Sequence, residues 1–528
     1  MMIITIWVVV IIIVGCFWVR KKYSFFDERG INNISIIQSY GNLFKFMMGK
    51  EHFSESINNI YKAFPNDRFI GTYEFLTPSL FVNDPDLLRK IGVKDFDYFS
   101  DHRNFLGDDD PIFSKSLIGL KGQKWRDMRA TLSPAFTGSK IKGMVPLIFE
   151  CNKDLEKFVC DEIERSSENH IDIDTHDLLT RYTTDVIATC AFGLKANSIT
   201  ERDNHFYKMA SKLTMFGVKE MLKGMVSSLP LIKKVIEINI FDKDSIAFLR
   251  HTVLDTMKNR VENNVIRPDV IQLLVEAKKG TLRHENNSDE KDAGFATVGE
   301  SEIGKGSIAG WEDDYLVSQA FLFFFAGYDT VSTCMKFLIL ELAINPDIQD
   351  KLRQEINEYH HKYDGKIDYD KINQMKYLDM VLSENLRKWP PAVNIERVCV
   401  KPYNLGKPND KAKDDFIVHK GMSLGVGVFA IHHDPQYYPY PERFDPERFS
   451  DENKKNITPF TYLPFGLGPR NCIASRFALL EVKIMIYDLI RNFEVSPAPQ
   501  TLLPPRFDKK SLQPKLEGGH WFRFKCVT

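Results

Sequence analysis

"FGLGPRNCIA", Phe465 to Ala474, sets one cysteine behind two glycines, a proline and an arginine. A cysteine that only fills space packs as a small hydrophobe and needs no such approach. Gly466 and Gly468 let the backbone fold closely round the Cys472 sulfur and aim N–H groups at it. A helical pattern, "SRFALLEVKIMIYDLIRNF", begins just after the cysteine, and a helix start favours a thiolate. Phe465 is placed to cover the sulfur from water. Arg470 sets a fixed cation two residues away, shaped to pair with a carboxylate.

A shielded thiolate beside a carboxylate-binding arginine describes a haem site, in which sulfur holds iron and arginine holds a propionate. The alternative is a cysteine in an ordinary turn. Composition narrows the class. Of 528 residues, 43% are apolar and 27% charged, with a net charge of −1, so the chain is globular and lacks the basic excess of a nucleic-acid binder. Its eight cysteines (16, 151, 160, 190, 334, 399, 472 and 526) include no C-x-x-C pair. That excludes a zinc pattern and a disulfide framework, and free thiols fit a reducing compartment.

Met1 to Val19 carries no charge, and Arg20, Lys21 and Lys22 follow at once. As a helix this run reaches roughly 28 Å, close to the hydrocarbon thickness of a bilayer. A signal peptide would carry charges before its apolar run and a small-residue cleavage site after it, and this stretch has neither. The positive-inside rule puts the N-terminus outside and the following chain in the cytoplasm. A buried core helix is the alternative. The expected division is an anchor over 1–22 and one catalytic domain over 23–528.

Residues 142–278 show helical periodicity, as in Leu147, Phe149, Leu155, Phe158, Val159 and Ile163. Residues 280–310, rich in Gly, Ser, Asn and acids, predict an exposed loop. Within it "GESEIGKG" (299–306) misses the phosphate-loop pattern, because Gly306 stands where Ser or Thr is required. Next, "WEDDYLVSQAFLFFFAGYDTVSTCMKFLILELAINP" (311–346) predicts one helix of ~50 Å, with Gly327 in its middle costing up to ~1 kcal/mol against alanine. There the Thr330 hydroxyl can compete for the carbonyl ladder and open a gap, towards which Asp329 can feed protons. Strand-like, turn-rich stretches fill 393–430, and the proline-rich "DPQYYPYPERFDPERF" (434–449) follows.

In this order, these motifs resemble the cytochrome P-450 family of haem-thiolate monooxygenases, over roughly residues 60–520. Phe465, Gly468, Arg470, Cys472 and Ala474 match its ligand loop, F-x-x-G-x-R-x-C-x-G/A. The resemblance implies that Cys472 is the axial iron ligand of iron protoporphyrin IX (haem b). It also implies that Phe465, Arg470, Trp125 and Arg129 of "WRDMR", and Arg397 of "NIERVC", surround that group. His102 of "DHRNF" is a further propionate candidate, with a surface-loop histidine as the alternative. Glu384 and Arg387 of "SENLRKWPP" match E-x-x-R and are implied to pair with Arg448 as scaffold. "AGYDTVS" (326–332) matches A/G-G-x-D/E-T, implying a catalytic pair, Asp329 and Thr330, and room for dioxygen and water.

The implied fold is mostly α-helical: a large helical domain with a long central helix and a small β-rich part, behind an N-terminal transmembrane helix. The implied reaction inserts one atom of O2 into a lipophilic substrate and reduces the other to water. "LKGQKWRDMRATLSPAFTGSK" and "TTDVIATCAFGL" are most similar to the microsomal detoxification branch, especially its insect members. That implies foreign lipophilic substrates, an endoplasmic reticulum membrane with the catalytic domain cytosolic, and NADPH electrons from the P-450 reductase, with cytochrome b5 as a second donor. Oxidation of an endogenous hormone or pheromone is the alternative within the class. A haem carrier or gas sensor, and a haem isomerase lacking the acid–threonine pair, are the alternatives outside it. Lys121, Lys124, Arg126 and Lys483 are expected to form a basic docking face. Residues 213–241 are expected to form a lid at the membrane interface. No proline-rich hinge follows the anchor, since the first proline is Pro65. Of Phe321, Phe323, Phe324 and Phe325, helix geometry points only some towards a pocket.

Overall fold

The structure, a computed structural model, describes residues 2–74, 77–103, 110–214, 217–227, 240–279, 294–297 and 311–527. The long helix runs from Asp313 to Ile344. Its apolar residues surround the whole axis, the pattern of a helix enclosed by others, and nearly all of Leu316–Ala343 is buried. By length and composition it could cross a bilayer, but its burial makes it the core helix. Asp313 and Asp314 occupy its first turn, where the dipole favours acids. Asp314 accepts from Lys115 at 2.7 Å and pairs with Arg250.

Helices Thr175–Ile187, Lys243–Asn263, Lys376–Lys388 and Ser475–Asn492 pack around this central helix. Gly327 marks the closest crossing, since a Cβ there would lie 3.1 Å from Ile187 Cδ1. Close packing explains a glycine that propensity alone disfavours. The gap expected at Thr330 does not form. Helix continues through it, and the hydroxyl donates to the Ala326 carbonyl at 2.6 Å, adding to the ladder rather than breaking it.

The β part is small, with β1 (Phe69–Glu74), β2 (Thr77–Val82), β3 (His170–Asp174), β4 (Ile395–Val398), β5 (Tyr403–Gly406), β6 (Phe416–Val418), β7 (Ser423–Val426), β8 (Phe493–Pro497) and β9 (Trp521–Cys526). One sheet has the order β1-β2-β7-β4, a second β3-β9-β8, and β5 pairs β6. β4 runs antiparallel to β7 and sets Arg397 opposite Leu424, which fixes this arginine at the sheet's edge beside the ligand loop.

The first helix spans Met2–Tyr23, about 33 Å at 1.5 Å per residue. Ile6, Trp7, Ile13, Val14, Phe17 and Trp18 are all exposed along it, and Arg20, Lys21 and Lys22 fill its last turn.

Two expectations change. Lys483 is wholly buried and pairs with Asp379 at 3.0 Å, so it belongs to no outer basic face. Most of 280–310 lies outside the described residues, "GESEIGKG" included. Gly294–Thr297, however, is docked rather than exposed: Phe295 packs on Phe449 and Tyr462, with ring centroids 5.1 and 5.4 Å apart, and its N–H donates to Asp379. Within the expected lid, 215–216 and 228–239 also lie outside the described residues, and Val218–Ser227 is helical.

Candidate active site

Backbone chemistry builds the cysteine loop. Gly468 has φ +64°, and a Cβ there would lie 1.7 Å from the Gly92 carbonyl oxygen, so glycine alone fits. The Cys472 N–H donates to the Phe465 carbonyl at 2.9 Å and closes the loop. The helix behind it starts at Ser475, three residues past the cysteine. Even so, the Ala474 N–H hydrogen-bonds the sulfur, and both it and Arg129 pull the thiol pKa down, while burial, the larger effect, pushes it up. Cys472 itself keeps an exposed surface, although Arg470, Asn471 and Ser475 around it are buried. An accessible residue whose thiol is nonetheless largely desolvated suits a sulfur that meets a bound group rather than bulk water.

Thr330 has the same character, exposed between buried Asp329 and Val331 in the core helix. Phe323, Phe325 and Ala326 on that helix and Ile473, Ala474 and Phe477 beyond the cysteine pack against one apolar cluster. Thr330 and Cys472 therefore stand on two segments that wall the same apolar region. Phe321 and Phe324 are core, and Phe323 and Phe325 are partly open.

Three buried guanidinium groups converge beside the loop. Arg129 donates to the Asn471 carbonyl at 2.9 Å and to its side-chain oxygen at 2.7 Å. Arg397 donates to the carbonyls of Glu396 and Leu467, at 2.7 and 2.9 Å, and its buried Nε has no partner among the described residues. Arg470, expected to hold a propionate, uses Nε, Nη1 and Nη2 on the carbonyls of Ser100, Leu117 and Leu120, and lies 4.1 Å over the buried Trp125 ring. His102 is held neutral by burial first and then by the fields of Arg397 and Arg470.

Among the described residues, Glu396 and Asp101 are the acids set against Arg397 and Arg470. Asp101 lies 3.6 Å from Arg470, and burial pushes the Glu396 carboxyl up to about 7. Burying uncompensated charge costs several kcal/mol. A group with two carboxylates would relieve it and would give Arg397 Nε an acceptor. The donor set and the accessible, desolvated sulfur therefore fit a haem.

Glu384 accepts two 2.8 Å hydrogen bonds from Arg387, both wholly buried, and Arg448 lies 3.4 Å away. Lys121 and Lys124 are exposed, and Arg126 pairs with Asp97 at 2.7 Å. Sequence reasoning missed Asn471, Asp101 and Glu396. Nothing local marks these three as partners of residues several hundred positions away.

The family model for cytochrome P450 matches residues 35–520. Cytochrome P450 9e2 of Blattella germanica is 41% identical over 515 residues, 95% of this chain and 93% of that relative. Probable cytochrome P450 9f2 of Drosophila melanogaster is 38% identical over 96% of each chain. Cytochrome P450 6k1 of Blattella germanica is 34% identical, covering 95% of this chain and 93% of the relative.

Proposed function

Because the chain belongs to the cytochrome P450 family, we propose that this monooxygenase oxidises foreign lipophilic compounds at the endoplasmic reticulum membrane. One oxygen atom of O2 enters the substrate, and the other leaves as water with two protons and two electrons. NADPH supplies the electrons through the P450 reductase, which meets the exposed Lys121 and Lys124, with cytochrome b5 as a second donor. Residues 1–22 anchor the protein, and 23–528 form the cytosolic haem domain. The exposed apolar side chains of the first helix and the three cations in its last turn support that topology.

When bound, haem b supplies the reductive activation of dioxygen. Cys472 would hold the iron through its sulfur. Arg129, Arg397, Trp125 and His102 would receive the propionates, while Arg470 would contribute charge and holds Ser100, Leu117 and Leu120 through their carbonyls. Phe465 closes the loop over the sulfur. Thr330 presents its hydroxyl to the apolar region, and Asp329, whose carboxyl burial pushes up, holds a proton more readily than an exposed acid. The apolar walls, with Phe323 and Phe325 partly open, favour lipophilic substrates.

The observation that carries this reading is Cys472, accessible among buried neighbours, beside Arg397, whose buried Nε has no partner among the described residues. Its test has two parts. The reduced carbonyl complex of the full chain shows the strongly red-shifted Soret band of thiolate-ligated haem, and Cys472→Ser loses it. With reductase, NADPH and labelled dioxygen, a panel of lipophilic foreign compounds yields products carrying one labelled oxygen. Retention of the band in Cys472→Ser refutes the ligand assignment. Turnover confined to endogenous hormones or pheromones refutes the substrate class.

A further inference from the structure

We infer that Lys336 is a positioning residue for Asp329: buried on the same face of the central helix, it sets that carboxyl's charge state and, with His176, links it to a polar cavity beside the C-terminal segment. The inference rests on reading Asp329 as a proton donor.

Lys336 interrupts an apolar run, "STCMKFLILELA", at a point where the helix is enclosed and its own exposure is zero. Burying an ammonium is expensive unless other groups repay it. Seven residues is about two turns, so Lys336 and Asp329 share a face. Its Nζ lies 3.1 Å from His176 Nδ1. An ammonium only donates, so His176 accepts at Nδ1 and carries its proton on Nε2.

The neighbouring His520 gives an independent sign. Its Nε2 accepts from the Leu516 N–H at 3.1 Å, which leaves the proton on Nδ1. That buried Nδ1 has no partner among the described residues. A buried donor left unmade costs about 1–3 kcal/mol and marks a place for ordered water. The His520 ring lies 6.4 Å from that of His176. His176 lines a cavity of about 360 Å³, together with Tyr328, Asp329, Glu220, Lys510 and Lys515.

The cavity thus reaches Asp329 from the side of His176, and Thr330 stands one residue further round the helix. When Asp329 gives up its proton, the carboxylate left behind is stabilised by Lys336. A proton from water in the cavity then restores it, and no bond other than O–H breaks or forms. The groups facing this exchange are Asp329, Lys336 and Tyr328 of the central helix, Asp174 and His176 before and in helix Thr175–Ile187, and Glu220. From the C-terminal segment come Asp508, Lys510, Lys515 and His520. Burial lowers Lys336 to about 8, opposed by Asp329 and Asp174, and holds His176 at about 3. At neutral pH Lys336 is therefore the charged member of the pair. Lys336 and then Lys515 pull the Asp329 carboxyl back down against the effect of burial.

The test follows the protonated-carboxyl infrared band of Asp329 against pH in the full, haem-loaded chain, the band being assigned by its loss in Asp329→Asn. Lys336→Met keeps length and apolar bulk while removing the charge. It is expected to raise the Asp329 midpoint by a unit or more, about tenfold in proton affinity, and to move the pH profile of product formation by the same amount. His176→Phe, which removes the partner that accepts from Lys336, moves the midpoint the same way and serves if the methionine variant fails to take up haem. A midpoint within 0.3 unit of wild type, in a variant with the wild-type carbonyl spectrum, overturns the inference. A shifted midpoint with unimpaired turnover in Asp329→Asn upholds the role of Lys336 and refutes the donor reading of Asp329.

Discussion

Glu384→Gln should damage this fold more than any exposed charge change, and the structure sets the scale. Glu384 and Arg387 have no exposed surface and share two 2.8 Å hydrogen bonds. The substitution keeps shape and removes the fully buried negative charge that pairs with that guanidinium. Breaking one side of a buried pair costs about 3–5 kcal/mol, because the remaining ion stays desolvated and unpaired. That is about a fifth or more of a typical stability of 5–15 kcal/mol. The damage also spreads. Arg387 donates to the carbonyls of His432 and Pro441 at 2.9 and 2.7 Å, and His432 Nε2 in turn accepts from the Leu463 N–H at 2.8 Å, two residues before Phe465. Loosening this network frees the approach to the cysteine loop. Urea unfolding in detergent, followed by circular dichroism, should show the loss, and the carbonyl spectrum should show less thiolate-ligated haem per protein. Glu384→Gln with Arg387→Met should recover part of it, since the wholly buried guanidinium is gone and only Arg448 is left without its carboxylate. A single-variant loss below about 1 kcal/mol would refute the reasoning.

Three further outcomes follow. Gly468→Ala, whose Cβ would meet the Gly92 carbonyl at 1.7 Å in a left-handed backbone, should abolish haem uptake. Normal uptake would show that the loop can move aside. Thr330→Ala should still consume NADPH but form less product and more hydrogen peroxide, a well-placed proton donor being worth ~10²–10⁴ in rate. An unchanged ratio of product to NADPH would confine the hydroxyl to its helix bond. The chain should also be sensitive to acid. Burial first, helped by nearby cations, holds His176 and His433 at about 3 in the fold, against 6.5 unfolded. The unfolded chain therefore takes up these protons first. Stability is complete above pH 6.5 and falls as pH drops towards 3, by up to about 1.4 kcal/mol per pH unit for each histidine. Urea midpoints between pH 6.5 and 4 should fall less steeply in His433→Phe, and equal slopes would discount its part.

What was legible in the sequence obeys local rules. The central helix was bounded to within two residues because acids open it and Asn345-Pro346 closes it. Gly468 declared itself because only glycine takes that backbone. Side-chain destinations were less legible, because long-range partners decide them. Arg470 read as a carboxylate binder, yet its nitrogens meet carbonyls of Ser100, Leu117 and Leu120, some 350 positions away. Lys483 read as surface charge, and Asp379 is what keeps it inside. Phe295 lay in a stretch whose composition is that of a loop, and one aromatic ring seated on Phe449 and Tyr462 outweighs that composition locally.

The central helix shows why local rules cannot settle the site. Successive residues point about 100° apart, so Asp329 and Thr330 face different neighbours although they are adjacent in the motif. Thr330 is open towards the apolar region shared with the cysteine loop. Asp329 is buried and borders the polar cavity with His176 and Lys515. A motif of adjacent letters thus divides into one group on the apolar side and one on the polar side, joined by a single peptide unit. If Asp329 is the proton donor proposed above, this division would let the apolar side exclude bulk water while protons reach the acid from the cavity. It also explains why a lysine two turns further along, on the polar side, can act on the acid without touching the substrate. Replacing Thr330 should therefore alter the fate of oxygen, and replacing Lys336 should alter the pH at which it is decided.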